Sequence, residues 1–210
     1  MIKNIIFDIG GVVVTRSKFN KILKLFSKLV FGTKNPDFFK EEYINPKIKK
    51  EWQQWRLGKI TANQFFKRQR KKYHLKLSTN KLAYILYRSQ KPNKKIVSMI
   101  KKLKKRYRIY ALTNHTKEWF AYQKDKYNYN AIFSGTVTSF EAGSAKPNII
   151  IYKKLLETYK LIPEECLLID DQEENLIPAQ KLGIKTIHYK NIFLLKKQLK
   201  HHGILRDNRK

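Results

Sequence analysis

The amino-acid sequence predicts an α/β fold in which a parallel sheet core is interrupted by an inserted α-helical segment. Three observations carry this. Short apolar runs recur at residues 2–7, 108–113 and 167–170, as strands buried on both faces require. Stretches with helical periodicity separate them, and such alternation implies a parallel sheet with right-handed crossovers. Residues 16–91, by contrast, are rich in lysine and aromatic residues and hold no strand pattern.

Taken in order, residues 2–7 form the first strand and end on Asp8, after which Gly10-Gly11 permit backbone geometries that a Cβ would forbid. Phe19, Ile22, Leu23 and Phe26 then repeat at the spacing of one helical face, and Trp52, Trp55, Phe65, Phe66, Leu82, Ile85 and Leu86 continue the pattern. Residues 16–91 are therefore expected to form an α-helical cap, and residues 1–15 and 92–210 the α/β core. Pro92 suits the first turn of a helix whose apolar stripe, Ile96, Met99, Ile100 and Leu103, feeds the strand at 108–113. A short strand at 131–134, a helix at 148–159, a strand at 167–170, a helix at 175–182 and a strand at 184–188 complete the alternation, followed by a basic tail from Asn191.

Size and charge bound the possibilities. With 210 residues, the chain has room for one core domain plus an inserted subdomain. Forty-six Lys plus Arg against 16 Asp plus Glu give a formal charge of +30, which favours encounter with anionic partners: phosphorylated metabolites, nucleic acid or other polyanions. Lysine predominates over arginine, and fixed-geometry phosphate recognition prefers the guanidinium fork, so much of this charge reads as solvated surface. The single cysteine, Cys166, excludes an intramolecular disulfide and any zinc site built from several thiolates. The first strand begins at the amino terminus without a signal-peptide pattern and no apolar run reaches membrane-spanning length, so no membrane insertion is expected and the cytoplasm is the expected compartment.

Four segments carry chemistry: IIFDIGGVVV (5–14), ALTN (111–114), AGSAKP (142–147) and LLIDDQEEN (167–175). Open parallel sheets bind ligands at the carboxyl ends of their strands, so Asp8, Thr113, Asn114, Lys146, Asp170 and Asp171 can converge in one crevice. Three carboxylates with a lysine and a hydroxyl point to a divalent metal and a phosphate. Mg²⁺ prefers oxygen ligands, which Asp8, Asp170, Asp171 and the carbonyl of Gly10 can supply. Gly10-Gly11 do not make a dinucleotide fingerprint, because the later glycine and the distal ribose-binding acid are missing.

In order and spacing, including the tail AQKLGIKTI (179–187), these segments resemble the four motifs of the haloacid dehalogenase-like hydrolases, in their capped branch with an Asp-x-Gly-Gly first motif. The resemblance implies a Rossmann-like core and a Mg²⁺-dependent phosphomonoester hydrolase acting on a small sugar phosphate or nucleotide. Asp8 would then be the nucleophile that forms an aspartyl-phosphate. Lys146 would neutralise charge, Thr113 and Asn114 would hydrogen-bond the transferring group, and Asp171 would be the first direct metal ligand beside Asp170. One position departs from the family's commonest pattern. Gly10 stands where phosphatases of the family usually carry a second Asp, the general acid for the leaving alcohol. Two alternatives accompany this reading: a catalytically weak protein of the same fold that binds nucleic acid or other polyanions through Lys67–Lys72 and Lys94–Arg108, and, ranked lower, a 2-haloacid dehalogenase. Tyr43, Trp52, Trp55, Arg56 and Lys59 are candidates for the substrate-facing surface of the cap, although helical aromatics usually pack inward. His115 follows the second motif and is expected at a helix start or on the surface, and Asn175 either steadies the acidic loop or caps a helix.

Overall fold

A computed structural model describes residues 1–15 and 46–205. Phe19, Ile22, Leu23, Phe26 and Tyr43, singled out above, lie outside the described residues. Five strands form one parallel sheet in the order β5-β4-β1-β6-β7: β1 (Asn4–Phe7), β4 (Arg108–Thr113), β5 (Gly135–Thr138), β6 (Cys166–Asp170) and β7 (Lys185–His188). The centre of the sheet is β1, where the connection order reverses.

The alternating side chains of each strand explain the layers. Ile5 and Phe7 of β1, Ile109 and Ala111 of β4, and Leu167 and Ile169 of β6 face one core, whose other half comes from α4 (Lys94–Leu103) and α10 (Ile192–His201). Ile6, Tyr110, Leu112 and Leu168 face a second core against α8 (Ile149–Tyr159) and α9 (Leu176–Lys181). With both faces covered, the strands need apolar residues at every position, which is why they read as runs rather than as alternation.

Between β1 and β4 the chain forms β2 (Val14–Thr15), α1 (Pro46–Arg56), α2 (Ala62–Tyr73), α3 (Thr79–Tyr87) and β3 (Lys91–Pro92). β2 and β3 pair antiparallel, with Val14 opposite Pro92 and Thr15 opposite Lys91, so the outgoing and returning chains are joined at one point. Trp55, Phe65, Phe66, Leu82 and Leu86 form a separate apolar cluster with Trp119 of α5 (Lys117–Lys126), and Trp55 stacks on Phe65 at 4.9 Å between centroids. α2 begins with a capping box in which Thr61 and Gln64 satisfy each other's backbone N–H groups.

Two expectations about elements need correction. The strand expected at 131–134 lies at Gly135–Thr138, because Tyr129, Ile132 and Phe133 bury themselves from a short helix, α6 (Tyr129–Ile132), while the β-branched Thr136-Val137-Thr138 makes the strand. Pro92 belongs to the β3 ribbon rather than to a helical turn, and Asn93 caps α4 by accepting from the Ile96 N–H. Among the described residues, no helix is long and apolar enough to cross a membrane.

Candidate active site

At the carboxyl end of the sheet, Asp8 is the residue immediately after β1, and its N–H continues the parallel ladder by donating to the Ile169 carbonyl at 2.9 Å. The turn that follows is held by Gly11 N–H donating to the Val14 carbonyl and Val14 N–H to the Ile9 carbonyl, both at 2.9 Å. It passes through Gly11 at φ +94°, a conformation that glycine adopts without strain. Gly10 lies at this bend beside the nucleophile candidate.

Lys146 arrives from the loop between α7 (Ser139–Ala142) and α8. Its Nζ donates to Asp8 Oδ1 at 2.8 Å and to Asp170 Oδ2 at 2.5 Å. All three side chains are essentially buried. Burial pulls the Lys146 pKa down, but the charges of Asp8 and Asp170 outweigh it and hold the ammonium above its ordinary range. For Asp170 burial acts upward, and the Lys146 charge with three hydrogen-bond donors leaves the carboxyl below its ordinary range. Lys146 and Asp170 are therefore ionised together at neutral pH.

The surroundings explain how such a costly arrangement is positioned. Asn114, the residue after β4, grips the Lys146 main chain at both ends: its Oδ1 accepts from the Lys146 N–H at 2.8 Å and its Nδ2 donates to the Lys146 carbonyl at 2.9 Å. Both polar atoms of the Asn114 side chain thus hold the lysine main chain. Asp170 Oδ1 accepts from the Gln172 N–H at 2.9 Å and from Asn175 Nδ2 at 3.0 Å. Asn175 therefore steadies the acidic loop and makes no side-chain cap, and its own carbonyl accepts from the buried Tyr152 hydroxyl at 2.6 Å. Thr113 is the last residue of β4, at the same carboxyl end of the sheet, 1% exposed and opposite Thr138.

Asp8, Asp170 and the half-buried Asp171 each offer a carboxylate oxygen within 4.8 Å of the others. Three carboxylate oxygens brought this close in a largely buried crevice make the donor set that a hard divalent cation fits.

Other expected residues fall away from this centre. Trp52 and Trp55 pack against each other edge-on at 5.4 Å and against Phe65, so they build the helical cluster. His115 is not on the surface: it is buried, with Nδ1 accepting from the Thr116 N–H at 3.1 Å and Nε2 3.3 Å from Gln123 Oε1, and burial pushes its pKa down to about 4. Two positioning residues had no recognisable motif. Glu118 accepts from Trp55 Nε1 at 2.9 Å and from the Ala62 N–H at 2.8 Å, tying α1 and α2 to α5. Ser139 Oγ accepts from the His115 N–H at 3.0 Å and donates to the Arg56 carbonyl at 2.7 Å, linking the end of α1 to the second motif. An acid at a helix start was the sole signal for Glu118, and nothing marked Ser139.

Known proteins resemble this chain over most of its length. The chain is 27% identical over 199 residues to D-ribitol-5-phosphate phosphatase of Bacteroides thetaiotaomicron, covering 91% of this chain and 93% of that protein. It is 25% identical over 191 residues to a sesquiterpene phosphatase of Aspergillus oryzae, covering 89% of each. The crystal structure of a haloacid dehalogenase family enzyme from B. thetaiotaomicron superposes with a TM-score of 0.76 at 25% identity, over 90% of this chain and 94% of that one. A magnesium complex of that enzyme, also 25% identical, superposes with a TM-score of 0.74. The family model for haloacid dehalogenase-like hydrolases matches residues 2–183, which span the nucleophile candidate, the clamped lysine and the acidic pair alike, and the chain belongs to that family.

Proposed function

We propose that this protein is a Mg²⁺-dependent phosphomonoester hydrolase acting through an aspartyl-phosphate on a small phosphorylated metabolite, a sugar or polyol phosphate or a nucleotide. The observation that carries the reading is the buried Asp8–Lys146–Asp170 triad with Asp171 beside it. Relatives named as phosphatases favour attack on phosphorus over attack on a carbon–halogen bond.

Mg²⁺ held by Asp8, Asp170, Asp171 and the Gly10 carbonyl would supply the positive charge that lets a carboxylate approach a phosphate dianion. Asp8 attacks phosphorus, forming the acyl-phosphate P–O bond as the bond to the leaving alcohol breaks. Lys146, held by Asn114, neutralises charge on the phosphoryl oxygens, and the Thr113 hydroxyl with the Asn114 main-chain N–H orients them. Water then attacks phosphorus, releasing inorganic phosphate and restoring Asp8. Gly10 brings no carboxyl to protonate the departing oxygen, so that proton comes from solvent or from the substrate. Residues 16–91 act as the cap that excludes bulk water and selects the substrate.

The test is Mg²⁺-dependent phosphate release from an aryl phosphate by the wild type and by Asp8→Asn. Activity that disappears in the variant and in chelator supports the reading. A wild type inactive with every divalent cation tried, or an Asp8→Asn variant with undiminished turnover, defeats it.

A further inference from the structure

The opposite end of the sheet carries a second feature. A pocket of about 500 Å³ opens there among the loops that precede β1, β4 and β6. Its cations come from three separate parts of the chain: Lys3, then Lys104, Arg106 and Arg108, then Lys160. Among the described residues lining it, Glu165 is the sole carboxylate, and it accepts from Lys3 at 2.5 Å. Lys104 is anchored by one ammonium hydrogen bond to the Ala131 carbonyl at 2.8 Å, which leaves its other N–H groups for a ligand. The Arg106 guanidinium lies over the Tyr107 ring at 5.7 Å, and Arg108 opens β4 with an exposed side chain. Two planar guanidinium forks therefore converge on one concavity in a chain whose cations are mostly lysine.

We propose that this pocket is a second anion site that takes a run of consecutive phosphates, either an oligonucleotide backbone or a free polyphosphate chain. Four cations besides the Glu165-paired Lys3 are too many for a single phosphate, and the pocket's volume is that of a small-ligand site. The four residues of β1 separate the pocket from Asp8 by about 13 Å at 3.3 Å per residue, so the two sites do not share groups. The site does not depend on the phosphatase reading.

Binding of a labelled single-stranded RNA 12-mer and of inorganic tripolyphosphate would be measured in chelator, where Asp8, Asp170 and Asp171 repel anions from the catalytic crevice. With about four phosphates neutralised, RNA affinity of the wild type should fall about 50-fold between 50 and 200 mM salt, from a slope of about −0.7 per phosphate. Arg106→Gln/Arg108→Gln/Lys160→Gln should reduce affinity at least tenfold at 50 mM salt and cut the salt effect to about 3-fold. A control with equal charge loss at exposed lysines of α1 and α3, Lys49→Gln/Lys50→Gln/Lys81→Gln, should stay within twofold. Arg106→Lys/Arg108→Lys, which keeps charge but loses the forks, should give an intermediate loss, and unchanged thermal melting of each variant confirms the fold. Binding of RNA alone identifies a strand backbone, and binding of tripolyphosphate alone identifies a small ligand. Equal losses in the pocket and control variants, or no wild-type binding of either probe, overturn the proposal.

Discussion

Lowering the pH from 7.5 to 5 should destabilise the protein by about 2 kcal/mol through His115 alone. The ring is fully buried and its pKa is pushed down to about 4, against about 6.5 in an unfolded chain. Because the folded value is depressed, the folded state resists the proton. The associated stability is complete above about pH 6.5 and is lost progressively as pH falls toward 4. At pH 5 an unfolded histidine is almost wholly charged while the folded one is mostly neutral, and that difference is worth about 2 kcal/mol from the linkage relation. Asp170, whose pKa is shifted below the ordinary carboxylate range, contributes only at lower pH, because its stabilisation is lost as pH falls through its folded value. The assay is urea unfolding at pH 7.5 and 5 for the wild type and His115→Gln. The wild type should lose about 2 kcal/mol more than the variant between the two pH values. A wild-type drop matched by the variant would refute a buried neutral imidazole.

Three further outcomes follow from the site. Lys146→Met removes the shared counterion of two buried carboxylates and should cost about 3–5 kcal/mol in urea unfolding at pH 7.5, along with activity. Asn175→Ala deletes a donor to Asp170 and should weaken Mg²⁺ dependence of activity about 10- to 100-fold without a comparable change in the concentration of substrate needed for half-saturation. Across a series of phosphate monoesters, rates should fall steeply as the leaving alcohol becomes more basic, because Gly10 offers no general acid; Gly10→Asp should flatten that dependence, by as much as about 10²-fold at the basic end.

How much of this was legible beforehand depended on the range of the interaction involved. Strands β1, β4 and β6 announced themselves because burial on both faces demands local runs of apolar residues, and the acids at their ends stood out against those runs. Placing β5 failed because Ile132 and Phe133 are as apolar as a strand, yet pack from a helical turn. His115 stands at a helix start, one of its two expected places, but it is buried rather than exposed because Trp119 and Phe120 of α5 close over it, their rings edge-on at 5.1 and 5.7 Å.

By itself the sequence determined the parallel α/β core, the family, and the identity of Asp8, Lys146, Asp170 and Asp171 as one group, since each follows from residue type and order along the chain. Only the tertiary structure decided which of two chemically plausible jobs a polar side chain performs. Asn114 clamps Lys146 across 32 residues, Asn175 turns to Asp170 rather than to its own helix, and Glu118 reaches 56 residues back to the start of α2. A hydrogen bond is short-ranged and directional, so its partner is set by where the packed cores bring two segments together, and neither residue alone encodes that meeting.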